Sequence, residues 1–264
     1  MREMSIEKKV LVLREGEAAE ETVDKLVLEA PFTIFLNGSE LVTLLCTPEK
    51  MDRLALGFLK SEGLLQSPEQ VESLRVREEE GIAEVELKDR SPLAERIYGK
   101  RAITSGCGKG TVFYHALDSL RSNPVRSKTT VSAQQIREHM QRFQELATVY
   151  KATGGTHSAA LADLEQVLFF CEDIGRHNAV DKIVGECLLA GISLEDKILL
   201  TSGRLSSEIL LKAAKLQLPV VVSRAAPTSL CVELAEKLQI TLIGFARGRR
   251  MNIYACPERI KPEG

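Results

Sequence analysis

The stretch KILLTSGRLSSEILLKAAKLQLPVVVS (residues 197–223) decides the fold class of this chain. Two short apolar runs, KILLT (197–201) and VVVS (220–223), lie on either side of a helical segment at about 206–217. A strand, a helix and a second strand in this order form a crossover unit, which places the two strands parallel in one sheet. The stretch therefore predicts an α/β fold.

The same alternation extends in both directions from this unit. Predicted helices near 178–190, ended by Gly191, and at about 228–239 separate further strand-like runs. We expect these elements to form a largely parallel sheet covered by helices. The predicted strands are SAALA (158–162), VLFFC (167–171), KILLT (197–201), VVVS (220–223), TLIGFA (241–246) and MNIYAC (251–256).

The first part of the chain is predicted to be rich in β-structure. In FTIFLNGSELVTLLCT (32–47) two apolar runs flank Asn-Gly at 37–38, a pair that readily adopts the positive φ angles of a hairpin turn. A helix should follow, with Thr47 as its cap, Pro48 in its first turn and Gly63 at its end. Its apolar face would comprise Met51, Leu54, Ala55, Phe58 and Leu59, and further strands are predicted at SLRVRE (73–78), IAEVELK (82–88) and RAIT (101–104).

A polar stretch, RSNPVRSKTT (121–130), marks the predicted domain boundary. We expect a smaller β-rich N-terminal domain at residues 1–125, which carries a loop with Cys107, and an α/β domain at residues 126–264. The second domain should open with a helix, because a capping box and an apolar stripe follow the boundary. These residues are Ser132, Gln135, Ile136, Met140, Phe143 and Ala147.

Composition limits the class of protein. The chain has 264 residues, is 44% hydrophobic and 27% charged, and carries a formal net charge of −2, so it has no basic field to recruit nucleic acid. No apolar run is long enough for a membrane span, and the charged N-terminus does not resemble a secretory signal. The six cysteines are scattered singly, without a C-x-x-C pair, which favours reduced thiols in the cytoplasm and predicts no metal site.

Cys107 differs from the other cysteines in its surroundings. It lies in ITSGCGKG (103–110), where the flanking glycines allow backbone N–H groups to point at the sulfur. These dipoles and Lys109 favour the thiolate, which can exchange with another sulfur centre. A bystander thiol in a glycine turn is the alternative. The remaining cysteines lie in apolar patterns typical of core positions: Cys46, Cys171, Cys187, Cys231 and Cys256.

Polar loops gather at the predicted strand ends. They are GGTH (154–157), EDIGRHN (172–178), TSGR (201–204), SRAAPT (223–228) and RGRRMN (247–252). Because ligands of such sheets bind beyond the carboxyl ends of the strands, and arginine suits phosphate oxygens, we expect a site for a large anion. Solvated rim arginines, and a histidine that only caps its helix, are the alternatives. The basic residues concerned are Arg176, Arg204, Arg224, Arg247, Arg249, Arg250, His157 and His177.

Two carboxylates lie among these basic residues. Glu172 and Asp173 are interpreted as partners that orient an arginine or histidine, or as acceptors for ribose hydroxyls. A helix cap or a simple ion pair is an equally good interpretation.

Several of these motifs together resemble one family. ITSGCGKG, GGTHSAAL, EDIGRHNAVDKIVG, TSGRLSSEILLKAA and SRAAPTSLCVELAEKLQITLIGFARGRRMNIY occur in the order found in the FdhD family, the formate dehydrogenase accessory sulfurtransferases. EDIGRHNAVDK is the most specific of them. The resemblance covers about residues 28–256 and implies a C-terminal three-layer α/β domain similar to the cytidine deaminase fold.

The resemblance also implies a function and a site. The family carries sulfur as a persulfide from a cysteine desulfurase to the molybdenum or tungsten bis(molybdopterin guanine dinucleotide) cofactor, which is then inserted into formate dehydrogenase. The family's persulfide cysteine corresponds to Cys107, and a homodimer is plausible. The expected cofactor-binding residues are Phe245, Ala246, Arg247, Gly248, Arg249 and Arg250, together with Arg176 and His177 from the rim.

One departure from the family pattern bears on the mechanism. Many members carry C-G-x-C-G, whereas this chain has C-G-K-G, so no second thiol in the loop can resolve the persulfide. The competing hypotheses are a cofactor-binding chaperone that handles no sulfur and a generic nucleotide-phosphate binder. The sequence argues against a zinc deaminase, because THS (156–158) lacks the glutamate of H-x-E and the chain contains no C-x-x-C.

Overall fold

The computed structural model describes residues 4–88, 103–104 and 123–261. The first part contains β1 (Ser5–Val12), β2 (Glu20–Val27), β3 (Ala30–Leu36), β4 (Ser39–Cys46), α1 (Met51–Glu62), β5 (Val71–Arg77), β6 (Ile82–Leu87) and β7 (Ile103–Thr104). The second contains β8 (Val131–Ser132), α2 (Ala133–Leu146), α3 (Thr148–Thr153), β9 (His157–Ala162), β10 (Val167–Asp173), α4 (Arg176–Ala190), β11 (Ile198–Thr201), α5 (Ser207–Lys215), β12 (Val220–Ser223), α6 (Ser229–Leu238), β13 (Thr241–Arg247), β14 (Arg250–Ala255) and β15 (Ile260–Lys261). Short 3₁₀ helices lie at Pro68–Gln70 and Pro257–Arg259.

The first part forms a five-stranded sheet in the order β5-β6-β3-β4-β7. The predicted hairpin between β3 and β4 is confirmed, since Asn37 and Gly38 have φ angles of 49° and 75°. The side-chain oxygen of Asn37 also accepts a hydrogen bond from the Leu87 amide at 2.8 Å, which ties the turn to β6. A separate two-stranded ribbon of β1 and β2 precedes this sheet.

Helix α1 covers the five-stranded sheet. The predicted end at Gly63 is confirmed, with Gly63 in the left-handed conformation at φ 82°. The predicted cap at Thr47 is wrong: the helix begins at Met51, and the buried Thr47 hydroxyl donates to Asp173 at 3.0 Å. The Thr47 hydroxyl, which was expected to cap the helix, is therefore hydrogen-bonded to a distant residue, Asp173, instead. The buried residues of the predicted apolar face are Met51, Leu54, Ala55 and Leu59, with Phe58 half-buried against them.

The second part is built on a six-stranded sheet in the order β10-β9-β11-β12-β13-β14. The prediction of a largely parallel sheet is wrong, because only β11 with β12 and β12 with β13 pair in parallel. The connections between β9 and β10 and between β13 and β14 are too short for a crossover, so these neighbours pair as antiparallel hairpins. Strand β9 also lies antiparallel to β11.

Helices cover both faces of this sheet. Residues of α4, α5 and α6 pack on one face in a cluster that includes Leu161, Leu199 and Val221. On the other face, α2 packs Ile136 and Phe143 against the alternate residues of the same strands. The chain is thus an α/β protein with three layers in its second part. The capping box of Ser132 and Gln135 at the start of α2 is confirmed.

Helices α1 and α4 join the two parts in close contact. A Cβ atom on Gly57 would lie 1.7 Å from the Asp181 carbonyl oxygen, and one on Gly185 would lie 2.0 Å from that of Arg53. Only glycine at both positions permits this approach of the two backbones. Val125 packs in the core of the second part, and the division of the chain at residue 125 stays a prediction.

Candidate functional site

The polar loops meet at one rim of the six-stranded sheet. The carboxyl rim, as we call it, comprises residues 154–158, 173–178, 201–205, 223–228 and 245–250. Strands β11, β12 and β13 end there, and β9 and β14 begin there because they run in the opposite direction. The pairs His157 with Asp173 and Thr201 with Ser223 mark this rim. GGTH precedes its strand and still reaches the site, because β9 is antiparallel to its neighbours.

A cavity of about 420 Å³ opens at the carboxyl rim. Its volume lies within the range of small-molecule sites, and both basic and hydroxyl side chains face it. Helices α2 and α3 supply one wall and the rim loops supply the other. The residues that line it are Phe143, Gln144, Ala147, Tyr150, Gly154, Gly155, Thr156, His157, Ser158, Ile174, Ser202, Arg224 and Arg247.

His157 is held in this cavity by Ser202. Its Nδ1 lies 3.4 Å from the Ser202 hydroxyl, which itself accepts the Ser158 amide at 2.9 Å. Burial lowers the pKa of His157, and the nearby Arg176, His177 and Arg204 lower this pKa further. A neutral imidazole that accepts at Nδ1 carries its proton on Nε2, so His157 can serve as an uncharged hydrogen-bond donor to a ligand.

Arg247 is fixed at the mouth of the cavity. Its Nε donates to the Arg224 carbonyl oxygen at 2.7 Å, and its guanidinium carbon lies 5.9 Å from the centre of the Phe245 ring. Phe245 adopts a φ of 51°, a left-handed conformation that is costly for an aromatic residue, and its amide donates to the Ala225 carbonyl at 3.2 Å. The β12 and β13 loops therefore hold each other in place.

The run FARGRR divides between two places. Arg247 lines the cavity, whereas Gly248 and Arg249 border a second groove of about 750 Å³ beside the outer face of α2. Arg250 starts β14, and its Nε contacts the Asn252 side-chain oxygen at 3.3 Å. Whether all six residues from Phe245 to Arg250 bind one ligand stays a prediction.

The two basic residues of the EDIGRHN loop, Arg176 and His177, make different contacts. Arg176 packs against Gly203, where a Cβ atom would lie 3.0 Å from the Arg176 side chain. His177 places its Nε2 3.0 Å from the Glu208 carboxylate, in a half-buried contact between α4 and α5. This hydrogen bond lowers the pKa of Glu208. Arg176 thus lies near His157, and His177 links two helix N-termini.

Glu172 and Asp173 are structural residues. Glu172 is buried and accepts the Val149 and Tyr150 amides, at 2.9 and 2.8 Å, at the start of α3. Asp173 is fully buried and pairs with Lys182 at 2.7 Å. The interpretation of these carboxylates as ribose acceptors is wrong, because their oxygens are already committed inside the protein. The cap and ion-pair interpretation is the one that the contacts support.

Cys107 and Lys109 lie outside the described residues. The other five cysteines are buried, as the apolar patterns predicted. Burial raises the pKa of Cys46 to about 12 and that of Cys171 to about 11, so neither thiol is activated. Burial also raises the pKa of Cys187 and Cys231, each to about 12.

Sequence reasoning missed the wall that α2 and α3 contribute. Gln144 and Tyr150 line the cavity, yet they sit on an amphipathic pattern that predicted only a core-facing helix. Their role depends on which rim loop the helix end meets, and no local signal carries that information.

Among the described residues, no group of three or more His, Cys, Asp or Glu is placed to hold a metal ion. In that same part of the chain, no helix has the length and apolar character that crossing a membrane requires.

The comparison with known proteins supplies the family. A family model described as FdhD/NarQ matches residues 27–261. The chain belongs to the FdhD/NarQ family. Among its relatives, a sulfur carrier protein FdhD of Bacillus subtilis is 44% identical over 238 residues, which are 90% of this chain and 91% of that protein. The sulfur carrier protein FdhD of Bacillus pumilus is 43% identical over 258 residues, 97% and 98% of the two chains.

The fold of an FdhD/NarQ relative agrees with this assignment. A crystal structure of a protein from Desulfotalea psychrophila, described as a formate dehydrogenase accessory protein, matches with a TM-score of 0.81 at 25% identity. The match covers 98% of this chain and 100% of that one. The FdhD/NarQ assignment and the α/β architecture therefore rest on sequence and structure together.

Proposed function

We propose that this chain is a sulfur carrier needed for the maturation of formate dehydrogenase. Its FdhD relatives bear the name sulfur carrier protein, and they align with almost the whole chain. The observation that carries the proposal within the molecule is the gathering of His157, Arg224 and Arg247 around one cavity at the carboxyl rim. A carrier needs both a site for its client and a reactive sulfur, and Cys107 is the one cysteine whose sequence surroundings favour a thiolate.

The sulfur enters on Cys107. Its thiolate attacks the outer sulfur of a persulfide on a cysteine desulfurase, a new S–S bond forms on Cys107, and the desulfurase cysteine leaves as a thiolate. The step exchanges one S–S bond for another and needs no external oxidant. Because C-G-K-G contains no second thiol, the sulfur leaves Cys107 by direct transfer to the client.

The client is a molybdenum or tungsten bis(molybdopterin guanine dinucleotide) cofactor, bound as a substrate. Transfer of the outer sulfur atom to its reduced metal returns Cys107 to the thiolate, and the metal supplies two electrons. The guanidinium of Arg247 and the backbone around it suit phosphate oxygens, and His157 adds an uncharged donor. A cavity of about 420 Å³ has the size for one nucleotide end of this client.

A cofactor-binding chaperone without sulfur transfer is the alternative. The observation in its favour is that His157, Arg224 and Arg247 line one cavity, and binding of an anion by these side chains needs no thiol. Such a chaperone would bind the cofactor and formate dehydrogenase and would not require a thiol. The cytoplasmic location and the desulfurase partner stay predictions in either case.

Complementation separates the two proposals. In a strain that lacks its own FdhD, we expect the wild-type chain to restore formate dehydrogenase activity and Cys107→Ala to fail. The variant should still bind guanine nucleotide with wild-type affinity, which shows that it is folded. Restoration of activity by Cys107→Ala would leave the chaperone as the function.

A further inference from the structure

Tyr150 is an exposed aromatic residue inside a concave site. Its side chain is 48% exposed, although it lines the cavity at the carboxyl rim together with Arg224 and Arg247. Ligand cavities are typically lined by aromatic side chains that pack on the ligand and by a few polar groups that orient it. A ring that is exposed within such a cavity, and not on a convex surface, is available to a ligand.

The backbone of Tyr150 is fixed on both sides of the residue. Its amide donates to the buried Glu172 carboxylate at 2.8 Å, and its carbonyl oxygen accepts the Gly154 amide at 2.7 Å. Gly154 has a φ of 66° and ends α3 at this point. Because the backbone is already ordered, little conformational freedom is lost when a ligand packs against the ring.

Glu172 also ties Tyr150 to the loop that carries His157. Its Oε1 atom accepts both the Tyr150 amide and the Thr156 hydroxyl, the latter at 2.9 Å. Thr156 is buried and directly precedes His157. One buried carboxylate therefore holds the α3 wall in a fixed position relative to a donor on the other wall of the cavity.

The other aromatic rings near the cavity are less available to a ligand. Phe143 lines the cavity but is only 1% exposed, and it meets Phe170 edge to face with ring centres 5.7 Å apart. The Phe245 ring already lies 5.9 Å from the Arg247 guanidinium and is partly buried. Of the three rings that the structure describes beside this cavity, that of Tyr150 is the most exposed.

We propose that Tyr150 stacks on the guanine base of the client's nucleotide while Arg224 and Arg247 contact its phosphates. The proposal rests on the proposed function, because it takes the client to carry a guanine nucleotide. Tyr150 lies on the wall formed by α2 and α3, and the two arginines lie on the wall formed by the rim loops. A nucleotide is divided in the same way, with a flat base at one end and negative charge at the other. An aromatic ring suits the first and guanidinium groups suit the second.

Substitution of Tyr150 tests the stacking. Tyr150→Ala should weaken guanosine diphosphate binding about five- to 150-fold in isothermal titration calorimetry, whereas Tyr150→Phe keeps the ring and should bind like the wild type. Pyrophosphate has no base, so its affinity should be the same for Tyr150→Ala and the wild type. Wild-type affinity of Tyr150→Ala for guanosine diphosphate would overturn the proposal. So would equal losses in the two variants, or an equal loss of pyrophosphate binding.

Lys151→Ala is the matched control. Lys151 is the next residue of α3 and borders the groove beside α2 instead of the cavity, so this variant should bind guanosine diphosphate like the wild type. A larger loss in Lys151→Ala than in Tyr150→Ala would place the base in that groove and overturn the proposal.

NMR gives an independent signature of stacking. The ring current of a stacked base should move the Tyr150 ring protons upfield when guanosine diphosphate is added, and the spectrum of Tyr150→Phe assigns these signals among the four tyrosines. Unchanged Tyr150 signals in the bound state would overturn the stacking while leaving the proposed nucleotide site intact. A wild-type chain that binds no guanosine diphosphate would instead overturn that site, and this proposal with it.

Discussion

Lys182 and Asp173 form a buried ion pair in the second part of the molecule, and Thr47 of the first part is hydrogen-bonded to both of them. The Lys182 Nζ lies 2.7 Å from the Asp173 Oδ2, with 1% and 0% of the two side chains exposed. The same ammonium group donates to the Thr47 hydroxyl at 2.8 Å, directly after β4. Asp173 ends β10 at the carboxyl rim. One cluster therefore holds the β-rich first part against the edge of the cavity.

Removal of one partner should be strongly destabilising. In Lys182→Met the Asp173 carboxylate would remain buried without its cation, which costs about 3–5 kcal/mol of unfolding free energy. Urea denaturation monitored by circular dichroism measures this loss. The exposed Lys237→Met on α6 is the control and should change little. A similar small loss for both variants would show that the buried pair and its bonds to Thr47 contribute little to stability.

The rim arginines should contribute unequally to ligand binding. Arg247 lines the cavity and Arg249 borders the second groove, so Arg247→Ala should weaken guanosine diphosphate binding about tenfold or more. Arg249→Ala serves as the matched control, with a smaller expected effect. Isothermal titration calorimetry gives both affinities. If Arg249→Ala has the larger effect, the ligand occupies the groove beside α2 instead.

The titration of His157 should reflect its surroundings. Burial and neighbouring arginines lower its pKa below the usual 6.5, so the folded chain binds fewer protons there than the unfolded chain. Stability is therefore lost as the pH falls from above 6.5 toward the folded pKa, and His157→Gln should remove this part of the loss. Imidazole proton shifts in NMR give the midpoint directly. A midpoint at or above 6.5 would contradict the account.

Addition of a phosphate ligand should reverse this shift. A nearby negative charge favours the imidazolium form, so guanosine diphosphate should raise the pKa of His157. An unchanged midpoint in the presence of saturating nucleotide would place the phosphates away from His157.

The buried cysteines should be inert in the folded chain. Their raised pKa values keep the thiols protonated at neutral pH, and their burial excludes reagents. Mass spectrometry after brief treatment with iodoacetamide at pH 7.5 should find one label, on Cys107, and six after unfolding. The Cys107→Ser variant should take up none while folded. Rapid labelling of Cys171 or Cys187 in the native state would contradict the burial of these two side chains in the core.

Sequence patterns predicted the elements better than their arrangement. Asn37-Gly38, the Ser132 capping box and Gly191 each act through local backbone geometry, and each was placed correctly. Strand direction was misjudged because apolar runs in a covered sheet look alike whether their neighbours are parallel or antiparallel. The short connection between β9 and β10 was the signal that could have corrected it.

Of the basic residues singled out in the sequence, His157, Arg224 and Arg247 line the cavity, and the side chains that support the rim were not predicted. Arginines after apolar strands indicated the carboxyl rim, since the ends of strands converge. The burial of Glu172 and Asp173 depends on contacts with Val149, Tyr150, Thr47 and Lys182, which are distant in sequence. The cavity wall that α2 and α3 supply likewise depends on contacts between residues that are distant in sequence.

The central claim is that Cys107 carries sulfur, and intact-mass spectrometry tests it most directly. The chain would be incubated with a cysteine desulfurase and L-cysteine, with Cys107→Ala treated in parallel. We expect the wild type to gain the mass of one sulfur atom, to lose it on reduction, and the variant to gain none. Equal gain of sulfur by Cys107→Ala, or no gain by the wild type, would contradict the claim.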